Sequence, residues 1–242
     1  MIYTSVILAA GKGTRMSTDL PKVLHEIEGR PMVAYVIDAV RELCEERILL
    51  VVGYRAEDVV KKLGGMGVAF VLQEEQLGTG HAVSQCEEAL AGFDGTVIVL
   101  NGDVPCLRAA TIRRFCDFHA GEGAAATVLT AKVEDPSGYG RILRDAAGAL
   151  VEIVEEKDAD GGTRKIREIN SGLFCFDKVK LFDGLASTSR ENAQNEYYLT
   201  EIIGVLKGKG ERVGAYCVAD AWEVAGINTD DELESIRNYI KG

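Results

Sequence analysis

A short apolar run, Val6-Ile7-Leu8, empties into Ala9-Ala10-Gly11-Lys12-Gly13-Thr14-Arg15-Met16, with Leu20-Pro21-Lys22 close behind. Glycines at 11 and 13 let backbone N–H groups approach an anion closely, and Lys12, Arg15 and Lys22 bring positive charge to one neighbourhood. These residue types at this spacing suit phosphate. The loop is not a Walker A, which would follow Gly-Lys with Ser or Thr, because Gly13 stands there. Nor is it the dinucleotide fingerprint. Met16 stands where that pattern needs Gly or Ala, and the next apolar run, Ile48 to Val52, ends without an acidic residue for a ribose. A ligand-free tight turn is the plain alternative, and three adjacent cations weigh against it.

Further chemistry sits at the ends of other apolar runs. Asp103 closes Val97-Ile98-Val99-Leu100-Asn101-Gly102. A carboxylate at the carboxyl end of a buried strand suits Mg²⁺, which takes one or two protein ligands and completes its shell with phosphates and water. A turn-capping aspartate is the competing reading. Asn228 follows Ala225-Gly226-Ile227 and precedes a helix, so its carbonyl oxygen is either a second ligand or a helix-flanking cap. Gln73 offers a donor and an acceptor that suit a nucleobase edge, against the default of a solvated amide. Thr79 and Gly80 open a helix whose amino end either faces an anion or base or is merely capped. His25, His81 and His119 are too dispersed for a metal site, and no Ser or Cys nucleophile pattern appears. Phosphate chemistry needs neither. A phosphomonoester has its second pKa near ~6 and attacks already ionised, so positioning, metal and cations suffice.

The elements that position these residues alternate strand and helix. Gly29-Arg30-Pro31 introduces a helix carrying Val33, Val36, Ile37, Val40 and Leu43 at three- and four-residue spacing. Ile48–Val52, Val68–Leu72 and Val97–Leu100 read as strands, and Ala56–Leu63 and Thr79–Leu90 as the helices between them. The pattern predicts an α/β fold: a Rossmann-like, mostly parallel sheet with helices on both faces and ligands at the carboxyl ends of the strands. From Ala124 onward, strands at 125–133, 141–145, 150–155 and 169–176 predict an α+β elaboration over that cleft. A helix over 196–206, a strand over 213–218 and a final helix capped by Thr229 complete it.

The 242 residues carry a formal charge of −11, which disfavours nucleic acid or an anionic membrane as partner. Yet residues 1–30 hold four basic side chains against three acidic ones, so the positive potential is local and fits a small polyanion. Six cysteines without a C-x-x-C read as reduced core residues. With no signal-peptide pattern and no apolar stretch approaching ~18 residues, a cytoplasmic protein is expected.

Taken together, the residues from Leu8 to Met16 with Leu20-Pro21-Lys22-Val23-Leu24-His25 resemble the signature of the sugar-1-phosphate nucleotidyltransferases. Within them they are most similar to the uridyltransferase half of the bifunctional bacterial enzymes that make UDP-N-acetylglucosamine. Gln76-Leu77-Gly78-Thr79-Gly80-His81-Ala82, Gly102-Asp103-Val104-Pro105, Gly138-Tyr139-Gly140-Arg141-Ile142, Glu168-Ile169-Asn170-Ser171-Gly172 and Asn195-Glu196-Tyr197-Tyr198-Leu199-Thr200 recur in the same order. The resemblance runs from about Val6 to Asn228. It implies Mg²⁺-dependent transfer of UMP from UTP to N-acetylglucosamine 1-phosphate, releasing pyrophosphate. By position, Arg15, Lys22 and Asp103 would be catalytic, and Asp103 with Asn228 would hold Mg²⁺. Ala10, Gly11, Gly13, Gln73, Gly78 and Thr79 would bind the nucleotide, and Gly140, Glu155, Asn170, Tyr198 and Thr200 the sugar.

The implied organisation is one nucleotidyltransferase domain over 1–242. Residues 1–123 would serve mainly the nucleotide, 124–228 mainly the sugar, and 229–242 form the C-terminal helix. No hexapeptide repeat follows, so neither the acetyltransferase domain nor the trimer it builds is expected, and a monomer or weak oligomer is. Asn101 departs from the resemblance, standing where a tyrosine usually precedes Gly-Asp, which bears on the sugar. Two other readings stay open: a nucleotidyltransferase of the same fold using another base or sugar, and a non-catalytic nucleotide-sugar-binding regulatory domain.

Overall fold

The computed structural model describes residues 2–44 and 47–241. The chain runs β1 (Tyr3–Ala9), a small hairpin β2 (Glu26–Ile27) and β3 (Arg30–Pro31), α1 (Met32–Arg41), β4 (Ile48–Val52), α2 (Ala56–Leu63) and β5 (Ala69–Leu72). It continues with α3 (Thr79–Ser84), β6 (Thr96–Asn101), α4 (Ala109–Glu122), β7 (Ala126–Lys132), β8 (Gly140–Arg144), β9 (Leu150–Val154) and β10 (Glu168–Asp177). Last come α5 (Lys178–Leu185), α6 (Glu201–Gly208), β11 (Val213–Cys217) and α7 (Asp230–Lys241).

The main sheet has the order β11-β7-β10-β6-β1-β4-β5, with β8 pairing both β10 and β9 at one margin. Strands β6, β1, β4 and β5 are mutually parallel, whereas β10 runs antiparallel to both β6 and β7. The strands of the second half therefore join the same sheet as those of the first. Alternation along each central strand divides the core. Ile7, Leu50, Ile98 and Leu100 face α1, α2 and α4, while Val6, Leu49, Val51, Val97 and Val99 face α3, α5 and α6. Both faces being covered, these strands read as unbroken apolar runs. A third cluster seats Leu233 and Ile236 of α7 against Met16, Ile27 and Met32. Among the described residues no helix is long and apolar enough to cross a membrane.

Two expected helices are shorter than their patterns suggest. The one expected over 79–90 stops at Ser84, followed by a turn and a separate 3-10 segment at Glu88–Leu90. There the Ser84 hydroxyl donates to His81 O (2.8 Å) and Gln85 Nε2 lies 3.3 Å from the same oxygen, so side chains satisfy the carbonyl that a further turn would use. The one expected over 196–206 begins only at Glu201. Residues before it make their hydrogen bonds across the chain: Tyr197 N donates to Leu77 O and Gly80 N to Tyr197 O, each at 2.8 Å. Two helices, α4 and α5, were not expected, although Ile112, Phe115, Cys116 and His119 of α4 lie on one buried face. The cysteines are free, five of them buried, with Cys217 exposed on β11.

His119 is 3% exposed and sets Nδ1 2.8 Å from Thr127 Oγ1 on β7. Burial pushes its pKa from 6.5 down to about 4, with Asp177 opposing. Between those values the unfolded chain binds the proton and the folded one does not, so stability is lost as pH falls through that window. Urea unfolding of the parent and of His119→Asn at pH 7 and pH 4 should show the variant losing less, by up to ~3 kcal/mol for a shift of this size. Equal losses would mean that His119 is charged in the folded state.

Candidate active site

The loop after β1 is shaped by a glycine that only glycine can fill. Gly13 has φ +69°, and a Cβ there would lie 2.7 Å from Lys22 Cβ. Its absence lets the Lys22 stem cross directly behind the loop. Gly13, expected at the nucleotide, itself lines neither side of the cleft and backs onto the Lys22 stem instead. At Gly11, by contrast, nothing beyond its chain neighbours lies within 4 Å of an added Cβ, and the residue lines the open cleft. The rest of the loop is pinned: Ser17 N donates to Asp230 Oδ2 (3.2 Å), and Thr18 Oγ1 lies 3.2 Å from His25 Nε2. Lys12 turns away, its ammonium 5.4 Å from the centroid of the Tyr54 ring.

Lys22 Nζ bonds Asp103 Oδ2 and donates to Asn228 Oδ1 at 3.0 Å. Residues 206 positions apart thus meet at one ammonium. Asp103 leaves the end of β6. Asn228 is held by the start of α7, where its own N–H and that of Thr229 donate to Glu232 Oε2 (2.6 and 3.0 Å) and Glu232 N donates to Thr229 Oγ1 (3.2 Å). This reciprocal cap is worth about 1 kcal/mol to the helix and orients the asparagine. Ile227 N donates to Asp103 O (3.0 Å), tying the two segments together.

Around this point the cleft has two sides that share Leu8, Thr79, Asn101 and Asp103. One side, of about 290 Å³, is lined by Ala10, Gly11, Lys22, Gln73, Gly78 and Thr79. Lys22 opens a short 3-10 turn, Lys22–Leu24, and the others come from the ends of β1 and β5 and from the start of α3. Gln73 is 3% exposed, and its Nε2 donates to Gly78 O (3.2 Å). The Thr79 hydroxyl accepts from Leu199 N (3.1 Å) and so holds the 195–200 loop against α3.

The other side, of about 260 Å³, is lined by Arg15, Gly140, Glu155, Asn170, Thr200 and Asn228, among others. A Cβ at Gly140 would lie 3.3 Å from both Glu155 Oε2 and Asn170 Cβ, so these three converge. Asn170 is aimed by a shift in the β10–β7 register between Asn170 and Phe174, and its Oδ1 accepts from Gly172 N (2.8 Å). Thr200 Oγ1 donates to Glu155 Oε1 (3.0 Å). Desolvation pushes the Glu155 carboxyl above the usual glutamate range, the Thr200 hydroxyl opposing. Nearby, Arg141, 1% exposed, pairs with Glu156 at 2.7 Å, and Glu156 also accepts from Gly138 N (3.3 Å), bracing the loop that forms one wall.

Tyr198 is not in this lining. Leu199 and Thr200 of the 195–200 loop line this side, whereas the buried Tyr198 lines an adjoining depression beside Asp158 and Glu191 that shares Glu155 and Thr200 with it. Sequence reasoning gave no role to Glu232, although Thr229-x-x-Glu232 is a legible capping box, and none to His81 beyond its place in a motif. Among the described residues no cluster of three or more His, Cys, Asp or Glu side chains could hold a metal. Asp103 and Asn228 nevertheless present two hard oxygens to one cation, which today is the Lys22 ammonium.

The sheet order and a two-sided cleft at the strand ends define the nucleotide-diphospho-sugar transferase fold. A solved UDP-glucose pyrophosphorylase complexed with UDP-glucose superposes with a TM-score of 0.79 at 19% identity, covering 100% of this chain and 99% of that one. Residues 5–172 match the MobA-like NTP transferase domain, and the chain belongs to that family. It is 50% identical over 224 residues to the bifunctional protein GlmU of Enterococcus faecalis (strain ATCC 700802 / V583), covering 93% of this chain and 49% of that one. The figure is 46% over 241 residues for that of Pelotomaculum thermopropionicum (strain DSM 13744 / JCM 10971 / SI), covering 100% and 52%. The chain thus spans about half the length of these relatives.

Proposed function

We propose that this chain is a sugar-1-phosphate uridylyltransferase that uses UTP, N-acetylglucosamine 1-phosphate and Mg²⁺ within one domain. The observation that carries this reading is the meeting of Lys22, Asp103 and Asn228 at the junction of two subsites. One subsite carries an amide suited to a base edge and the other a set of hydrogen-bonding side chains suited to a sugar. Identity of 46–50% to the bifunctional proteins GlmU supports it.

In the reaction, an oxygen of the sugar phosphate attacks the α-phosphorus of UTP in line. A new P–O bond forms to the sugar phosphate, the bond to the bridging oxygen breaks, and pyrophosphate leaves with that electron pair. The attacking phosphate is already ionised at neutral pH, so no general base is required. Accordingly, His119 is in the core and His25 engages Thr18. Asp103 and Asn228 would hold Mg²⁺, which when bound neutralises charge on the phosphate oxygens. Lys22 and Arg15 stabilise the triphosphate and the charge that develops in transfer. Gly140, Glu155, Asn170 and Thr200 hold the sugar, with Glu155, its carboxyl raised by burial, placed to hydrogen-bond a sugar hydroxyl. Gln73 reads the base beside Ala10, Gly11, Gly78 and Thr79.

Pyrophosphate release tests this directly, with the five common nucleoside triphosphates each paired with N-acetylglucosamine 1-phosphate and with glucose 1-phosphate. UTP with the acetylated sugar should turn over fastest, and no turnover of any pair would end the proposal. In the same assay, Gln73→Ala should lower the preference for UTP over CTP about tenfold, with the rate at saturating UTP little changed. An unchanged preference would remove Gln73 as base reader.

A further inference from the structure

Against the inner face of Gln73 stands a histidine that the transfer reaction does not use. His81, in the first turn of α3, sets Nδ1 3.0 Å from Gln73 Nε2. The same nitrogen lies 3.2 Å from Gly78 O. A carbonyl oxygen only accepts, so Gly78 fixes the nitrogen end of the amide on the inside. Its second hydrogen then goes to Nδ1, which must be the unprotonated ring nitrogen, with the ring proton on Nε2. Gln85 Nε2 lies 3.2 Å from that Nε2 and 3.3 Å from His81 O. Because the Ser84 hydroxyl already donates to His81 O at 2.8 Å, the half-buried Gln85 amide turns over and gives its oxygen to the ring proton. Both Gln73 hydrogens are thereby committed inside, and the oxygen is the end left for the cleft that Gln73 lines.

The surroundings hold this arrangement still. The Tyr197 ring stacks on His81, centroids 6.4 Å apart and planes 28° from parallel. Gly78 has φ +108°, and a Cβ there would lie 2.6 Å from Tyr197 O, so its carbonyl keeps its place only because the residue is glycine. Rotating the Gln73 amide by half a turn would set its oxygen against Gly78 O and forfeit that bond, and the one to His81 would survive only with the ring proton moved to Nδ1. An unconstrained glutamine reads a donor or an acceptor equally well. This one is restricted to accepting.

We propose that His81 is a positioning residue for base selectivity: by accepting from Gln73 it presents the amide oxygen to the cleft, favouring a pyrimidine with an N3–H, uracil or thymine, over cytosine, whose N3 only accepts. This rests on the reading of Gln73 as base reader. It is tested on the full chain by measuring UTP and CTP affinity calorimetrically without sugar phosphate, together with kcat and KM, for the parent, His81→Leu and His81→Asn. Asparagine places an oxygen near the position of Nδ1 and leucine does not.

The UTP-to-CTP preference should fall about tenfold in His81→Leu, through weaker UTP binding and a raised KM with kcat little changed. It should stay within about threefold of the parent in His81→Asn. A preference equal in all three proteins would overturn the role of His81 while leaving the uridylyltransferase reading intact. A parent that binds UTP and CTP alike would overturn that reading of Gln73, and this inference with it. Nitrogen NMR of the parent's imidazole gives a check that needs no variant: a proton on Nε2 is expected, and one on Nδ1 would overturn the proposal.

Discussion

Asp103→Ala is expected to lower the rate of pyrophosphate release by about a thousandfold or more, with KM for UTP changing far less. The reasoning is electrostatic. Transfer gathers the charge of two phosphate groups at one point, and a carboxylate that seats a divalent cation there acts in the transition state, not only in binding. A loss of this size corresponds to about 4 kcal/mol of barrier. The fold should survive, because Asp103 lies at a strand end facing the cleft and its side chain is 16% exposed. Asp103→Asn separates two explanations. It keeps an oxygen for Lys22 but loses the charge, so if Asp103 served only to hold Lys22 in place, the amide would retain most of the rate. A rate near the parent's in either variant, with an unchanged melting temperature, would remove the metal-seating role.

Lys22→Met should be almost as damaging to turnover, by about a hundredfold, since on the proposed reading it deletes a fixed cation that would meet the phosphates. It should also have an opposite and separable effect on the substrate-free protein. Lys22 Nζ bonds both Asp103 and Asn228, so in the absence of nucleotide the ammonium and the proposed divalent ion would contend for the same two oxygens. Methionine keeps much of the stem and removes the competitor. Mn²⁺ binding followed by electron paramagnetic resonance, without nucleotide, should therefore tighten in Lys22→Met and weaken in Asp103→Ala. Weaker Mn²⁺ binding in Lys22→Met would mean that the lysine and the cation do not share a seat.

Much of the fold was readable because burial and local chemistry coincide. Val6-Ile7-Leu8, Ile48–Val52 and Val97–Leu100 are apolar on both faces, and they are the central strands that helices cover on both sides. The helix that ended early, at Ser84, and the one that began late, at Glu201, did so for side-chain and nonlocal reasons. Ser84 and Gln85 turn back onto His81 O, and residues 195–200 bond to 77–80, more than a hundred positions away. The residues of the 79–90 stretch keep a helical apolar spacing, and nothing in that spacing reports where a carbonyl will be satisfied.

The sequence by itself determined which chemical groups are available: the glycines and cations after β1, the carboxylate after β6, the asparagine before α7, and the order in which they come. It also determined the strand-helix alternation, since periodicity is a local property of the chain. Only the tertiary structure decided that Lys22, Asp103 and Asn228 meet, that Lys12 lies on Tyr54, that Gly13 backs onto the Lys22 stem, and that Thr200 lines the cleft while Tyr198 lines the depression beside it. The orientation of Gln73 belongs to the same class. A hydrogen bond depends on where its partner stands, and Gly78 and His81 reach that position only after the 195–200 loop has docked on α3.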